Sequence, residues 1–315
     1  MRKNPCCVHV CDPVQRLPAW IESLTLGRMT SAAQLRAQFV RALERDNFDG
    51  PHGPDGKGGA PEAQYLARLA LWVAATYDDQ LDVDGSLAQL IELGEQAAEF
   101  GVVDADSLAE FLAEKCGFVG NRKDYYRIEN SCLNQVIEQR IGIPITLAIV
   151  YLAVGRQVGL DVNGISFPGH FMVGVREGKK SGVRENEDST LQLLDPFSGR
   201  RISQSDCLQQ LDQMLRARGL SAASAANAAS KAANEDASLA EQLQGYLQPA
   251  KPRQILLRLL ENLKQIHLEQ RDLPRVLLVQ DYQILLDPHN FDLRHQREQY
   301  LARSAGRSAG ETNIH

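Results

Sequence analysis

Several groupings in this 315-residue sequence carry side chains that bind metals, phosphates or protons. Near the N-terminus, Cys6-Cys7-Val8-His9-Val10-Cys11 supplies thiols and an imidazole, ligands that suit zinc. It has no CxxC pair and no partner knuckle downstream, so a frayed, reduced terminus with no metal is expected. The glycines and Lys57 of Asp49-Gly50-Pro51-His52-Gly53-Pro54-Asp55-Gly56-Lys57-Gly58-Gly59 suggest a phosphate cradle. The GxxxxGK[ST] spacing is absent, and the segment reads as a loop. Gln80-Leu81-Asp82-Val83-Asp84-Gly85 opens like a calcium loop, but Gln80 stands at the first ligand position and Ile91 where a bidentate glutamate belongs. The expected role there is a helix cap at Asp84 to Ser86. A more informative pairing lies further on. His170 begins one β-type run and Asp195 ends another that returns beside it, so hairpin pairing brings an imidazole and a carboxylate together. Such a pair can orient a ring and hold a proton.

The runs that would position this pair are 162–167, 170–175 and 191–195, with a short extension at 201–202. Pro168-Gly169 separates the first two, and the polar loop 176–190 separates the next. Before them, Gly142-Ile143-Pro144 leads into the almost wholly apolar stretch 145–154. This predicts a buried helix with Pro144 in its first turn and Gly159 at its end. Upstream, helices are predicted over 17–47, 60–77, 86–100, 106–115 and 130–140. Downstream, 203–218 reads as an amphipathic helix capped by Ser203 or Ser205, and 219–238, dominated by Ala, Ser and Asn, as a flexible insertion. Pro252 to Glu269 presents Leu256, Leu259, Leu260, Leu263 and Ile266 on one side. Asp272-Leu273-Pro274 then starts a partner helix that stops at Asp287-Pro288. This hairpin has the length of a tetratricopeptide repeat, about 34 residues. Leu260, Leu263, Val276 and Pro288 fit that pattern, whereas Gln280 and Gln283 occupy positions that prefer apolar residues. A third helix is predicted over 291–303.

Hydrophobic residues at 43% and charged residues at 23% exclude a fully disordered chain. Lys+Arg number 34 against Asp+Glu 40, so the chain lacks a general attraction to phosphate and no direct nucleic-acid partner is expected. No apolar run approaches the roughly 20 residues of a membrane span, and the first residues lack the apolar segment of a signal peptide. Six cysteines in a chain of this length point to reduced thiols and a cytoplasmic location. No cofactor is expected.

Asp124-Tyr125-Tyr126, Asn130-Ser131-Cys132-Leu133-Asn134-Gln135-Val136, Arg140-Ile141-Gly142-Ile143-Pro144-Ile145-Thr146-Leu147, Phe167-Pro168-Gly169-His170-Phe171 and Leu194-Asp195-Pro196-Phe197 follow one another in that order. Together they resemble the transglutaminase-like family whose bacterial members are called regulators of sirC expression, with transglutaminase-like and TPR domains. The resemblance implies an α+β fold: a transglutaminase-like (papain-like) core with a buried helix and a small antiparallel sheet, flanked by N-terminal helices and a C-terminal TPR-like hairpin. The expected divisions are a disordered start (1–16), a helical region (17–120), the core (121–218), the insertion (219–238), TPR-like helices (239–303) and a disordered tail (304–315).

Active members of the wider transglutaminase and papain-like group place a Cys at the N-terminus of the buried helix. The helix dipole and a nearby His make it a thiolate, and an Asp orients the His. The resemblance gives His170 and Asp195 the last two roles. At the nucleophile position this sequence has Pro144. Cys132 lies twelve residues earlier, and Thr146, a hydroxyl without a strong base, is a poor nucleophile. Asn134, Arg140, Pro144 and Thr146 are expected to line the same cleft. Arg140 is expected to pair with Asp124 or Asp195, or to cap a helix at Gly142. The implied function is non-catalytic: a cytoplasmic interaction or regulatory protein, a pseudoenzyme affecting gene expression indirectly and binding a protein partner through its TPR-like helices. The alternative is a thiol-dependent acyl transferase or amidohydrolase using Cys132 with His170 and Asp195, which needs the Cys132 sulfur beside the His170 ring. Small-ligand binding in the cleft is a third reading.

Overall fold

The computed structural model describes residues 32–45, 60–177, 190–217 and 241–311; the N-terminal cysteine cluster, the glycine-rich loop and the Ala/Ser-rich insertion lie outside them. Helices α1 (Ala32–Arg45), α2 (Ala60–Ala74), α3 (Val83–Phe100) and α4 (Ala105–Ala109) come first, the last continuing as a π-helical stretch, Glu110–Lys115. A two-residue strand β1 (Val119–Gly120), a 3₁₀ turn (Ile128–Ser131), α5 (Leu133–Gln139), β2 (Ile141–Gly142) and α6 (Pro144–Gln157) follow. Strands β3 (Asp161–Ile165), β4 (Met172–Glu177), β5 (Thr190–Asp195) and β6 (Arg200–Ile202) form an antiparallel sheet in that order. Helix α7 (Gln204–Ala217) and then α8 (Pro252–Glu269), α9 (Leu273–Leu286) and α10 (Phe291–Glu311) complete the fold.

Helix α6 is the centre of the molecule. Every side chain from Pro144 to Gly155 is buried, and a helix that is apolar all round needs cover on every side. Helices α2 and α3 pack on it, as do β3 and β4, and α8 touches it too. One apolar core therefore runs from Leu35 on α1 through α6 to Leu286 on α9. The sheet's opposite face closes on a smaller cluster, where Ile165, Phe167 and Met172 meet Cys207 and Leu211 of α7. Residues distant in sequence latch the two ends together. The Tyr77 hydroxyl lies 2.8 Å from His267 Nε2 of α8, and Arg275 of α9 donates to the Thr76 carbonyl at 2.6 Å.

Local departures from the sequence reading have local causes. Helix α3 is capped by Asp82 rather than by Asp84 to Ser86: the Asp82 carboxylate accepts the Gly85 N–H at 2.9 Å. The predicted helix 130–140 is broken at Cys132, which is extended at φ −92° and ψ 108° and precedes α5. Helix α10 continues past Ser304 to Glu311, where a disordered tail was expected. No proline interrupts that run. The two glutamines at apolar positions of α9 are buried with only their amide nitrogens partnered: Gln280 Nε2 donates to the Leu293 carbonyl at 2.9 Å and Gln283 Nε2 to Glu261 at 3.0 Å, while neither Oε1 has a hydrogen-bond partner among the described residues.

Candidate functional site

Phe167 to His170 form a tight turn closed by the His170 N–H on the Phe167 carbonyl at 3.1 Å. Pro168 fits its second position. Gly169, at φ +74°, fills the third, which a side chain would strain in a type II turn. The turn delivers His170 just ahead of β4. Strand β5 returns antiparallel with Val173 opposite Leu194, which carries Asp195 to the same end of the sheet. His170 Nε2 and Asp195 Oδ1 stand 3.0 Å apart, with 21% and 15% of the side chains exposed. The same carboxylate oxygen accepts the Phe197 N–H at 2.8 Å. Burial alone would raise the Asp195 carboxyl. Hydrogen bonds from His170 and Ser198, the His170 charge and the Phe197 N–H outweigh it and hold the group below the usual carboxylate range.

Strand β1 ties this pair to the start of α6. It pairs in parallel with β2, Val119 opposite Ile141. On its other side the Gly120 N–H donates to the Phe197 carbonyl at 2.9 Å. The contact is close: a Cβ on Gly120 would stand 2.2 Å from the Phe197 ring, so only glycine fits. The N-terminus of α6 and the Asp195 end of β5 are thus one short strand apart, roughly 10 Å between backbones at ordinary strand spacing. The first residue of α6 is Pro144, buried and without an ionisable group.

Cys132 is elsewhere. It is 4% exposed, and burial, with the charges of Glu129 and Asp78 adding and Arg275 opposing, pushes its thiol up to about 12. Those neighbours belong to the 3₁₀ turn, the turn after α2 and α9, not to the sheet. Among the described residues no hydrogen bond or charge contact joins Cys132 to His170 or Asp195. A cleft of about 550 Å³ opens beside His170, lined by Pro168, Gly169, His170, Asp195, Ile202, Asp206, Gln210 and Met214.

None of the four residues expected to line the cleft does so. Thr146 is fully buried, its hydroxyl 2.7 Å from the Asn130 carbonyl and accepting the Ile143 N–H at 3.2 Å, which pins the first turn of α6. Asn134 faces Asp78 at 3.5 Å, and Pro144 is packed in the core. Arg140 caps α5 in a left-handed conformation, φ 62°, with its guanidinium over the Phe118 ring at 4.6 Å. The ion pair expected for it is not formed: Asp124 faces Arg127 at 4.0 Å and Asp195 faces His170. Sequence reasoning missed Asp206, Gln210 and Met214 of α7, because an amphipathic helix carries no chemical signature of what it faces. It also missed Asn130, whose amide donates to the Asp124 and Tyr125 carbonyls at 2.7 and 3.0 Å and holds that loop. Among the described residues no three His, Cys, Asp or Glu side chains group as metal ligands, and no helix is long and apolar enough to cross a membrane.

A buried helix beginning one strand away from a His–Asp pair on an antiparallel sheet is the framework that the sequence resemblance implied. The family model described as the transglutaminase-like superfamily matches residues 66–261, well over half of the chain. The chain belongs to the transglutaminase-like superfamily. A UPF0162 protein of Xylella fastidiosa (strain Temecula1) is 36% identical over 157 residues, 50% of this transglutaminase-like chain and 46% of that protein. A UPF0162 protein of Pseudomonas aeruginosa is 28% identical over 213 residues, 66% of this chain and 67% of that one. F-box only protein 21 of Mus musculus is 31% identical over 113 residues, 36% of this chain and 18% of its own length. The chain spans about half the length of the Xylella relatives it matches. No solved structure matches it.

Proposed function

We propose that this transglutaminase-like chain is non-catalytic and works in the cytoplasm as an interaction or regulatory module, akin to the regulators of sirC expression. The observation that carries the reading is Pro144. The helix that active relatives begin with a nucleophilic cysteine begins here with a residue that can neither attack a carbonyl nor be ionised. The reading gives the His170–Asp195 pair a structural duty at the sheet corner. It gives the α8–α9 hairpin, which has the length of a TPR unit, the part of meeting a protein partner, with any effect on gene expression indirect.

The test uses the full chain with glutaminyl peptides and with simple esters and amides. It follows ammonia, alcohol or amine release by wild type, Cys132→Ala and His170→Ala. No turnover above buffer is expected from any of the three. Turnover by wild type that disappears in both variants would establish a thiol-dependent enzyme and overturn the reading.

A further inference from the structure

Arg258 projects from α8 onto the turn that presents His170. Its Nη1 donates to the Ser166 hydroxyl at 2.9 Å and to the Phe167 carbonyl at 3.0 Å. Its Cζ lies over the Phe171 ring, 5.5 Å from the centroid. The Phe167 carbonyl is the one that also accepts the His170 N–H, so cation and histidine are anchored to a single atom. The guanidinium is half-buried, and burial works against its charge. The Tyr125 phenol lies within electrostatic reach of it, and no carboxylate of the described residues pairs with it.

The hydrogen-bonding arithmetic is specific. A guanidinium has five N–H donors. Both on Nη1 are engaged, while the Nε–H and Nη2–H edge makes no hydrogen bond to the described residues. That edge is the fork that meets a carboxylate through two parallel hydrogen bonds. The usual cost of binding through arginine is the ordering of a long side chain, and here two acceptors and a ring face have already fixed it. We infer that Arg258, with the Tyr125 phenol within electrostatic reach and His170 on the same turn, forms a binding site for a carboxylate group. One guanidinium matches one negative charge. A phosphate dianion would call for a second cation, and Arg122, exposed and over the Phe197 ring at 5.7 Å, is engaged at a separate aromatic face. The site stands whether or not the chain is catalytic, since it uses neither Pro144 nor Cys132.

Calorimetric titration of the full chain with benzoate, hexanoate and short peptides ending in a free carboxylate tests this, with benzamide and the C-terminally amidated peptides as neutral counterparts. Saturable binding of the carboxylates and none of the amides is expected. Arg258→Gln should weaken it at least about tenfold, and Arg122→Gln should leave it unchanged. Peptide acids binding well above the small acids make a chain terminus the occupant; equal affinities make it a free acid. Because Arg258 also braces the turn, Tyr125→Phe provides an independent arm, expected to weaken binding several-fold with the turn intact. No saturable response, equal response to acid and amide, or full affinity in both Arg258→Gln and Tyr125→Phe overturns the inference.

Discussion

Asp195 shares one carboxylate oxygen between the His170 ring and the Phe197 N–H. A carboxylate can only accept, so the ring nitrogen facing it carries a proton. Asp195→Asn should therefore lower stability by about 1–3 kcal/mol at neutral pH, read as a fall in the urea midpoint. The sign with pH follows from the depressed carboxyl. Its stabilisation is fully present above the unfolded value of about 3.9 and is lost as pH falls through the lower folded value. Wild type and Asp195→Asn should accordingly converge in acid; a gap as wide at pH 3 as at pH 7 would refute the assignment. Cys132 makes the opposite kind of prediction. With its thiol near 12, the thiolate share at pH 8 is roughly one in ten thousand. Iodoacetamide should leave Cys132 unlabelled in the native protein and label it after unfolding, as peptide mass spectrometry would reveal. Fast native labelling would return the thiol-enzyme reading to favour.

Helix α6 and strand β1 are held by small residues. Adding a methyl at Gly120 forces the Phe197 ring aside, so Gly120→Ala should cost about 1–3 kcal/mol as overpacking and loosen the tie between β1 and the Asp195 turn. Thr146→Val removes the hydroxyl that meets the Asn130 carbonyl and the Ile143 N–H. It leaves buried polar groups without partners, a loss of similar size. Thermal melts measure both. At this scale much was legible in the sequence. Gly142-Ile143-Pro144 marked the start of α6, Pro168-Gly169 marked the turn before His170, and the leucines of α8 declared its buried side, because each is a local rule of backbone or periodicity. The site's wider surroundings were not. Asn134 meets Asp78, 56 residues away, and Arg258 meets Phe167, 91 residues away. Nor could spacing reveal that two-residue strands pair in parallel, or that the helix after Ala109 widens to a π pitch.

The described residues are closed by the latch between the turn after α2 and the α8–α9 hairpin. His267 is 1% exposed, stacked 5.7 Å from the Tyr77 ring at 7°. Burial lowers its pKa, with Asp272 opposing and Arg275 reinforcing. The folded chain thus favours neutral imidazole. The unfolded chain takes up its proton near 6.5, so stability should decline as pH falls below that value and be retained above it. Urea midpoints at pH 7.5 and 5.5 should separate for wild type and draw together for His267→Gln; equal separation in both would assign the decline to other groups. The latch also has a consequence in time. Tyr77 and His267 are 190 residues apart, and Thr76 and Arg275 are 199 apart. At ribosomal rates of roughly 5–20 residues per second, the end of α2 waits about ten to forty seconds for the helices that cover it. During that interval its apolar flank is uncovered, and every chain that stops before α8 leaves that flank bare.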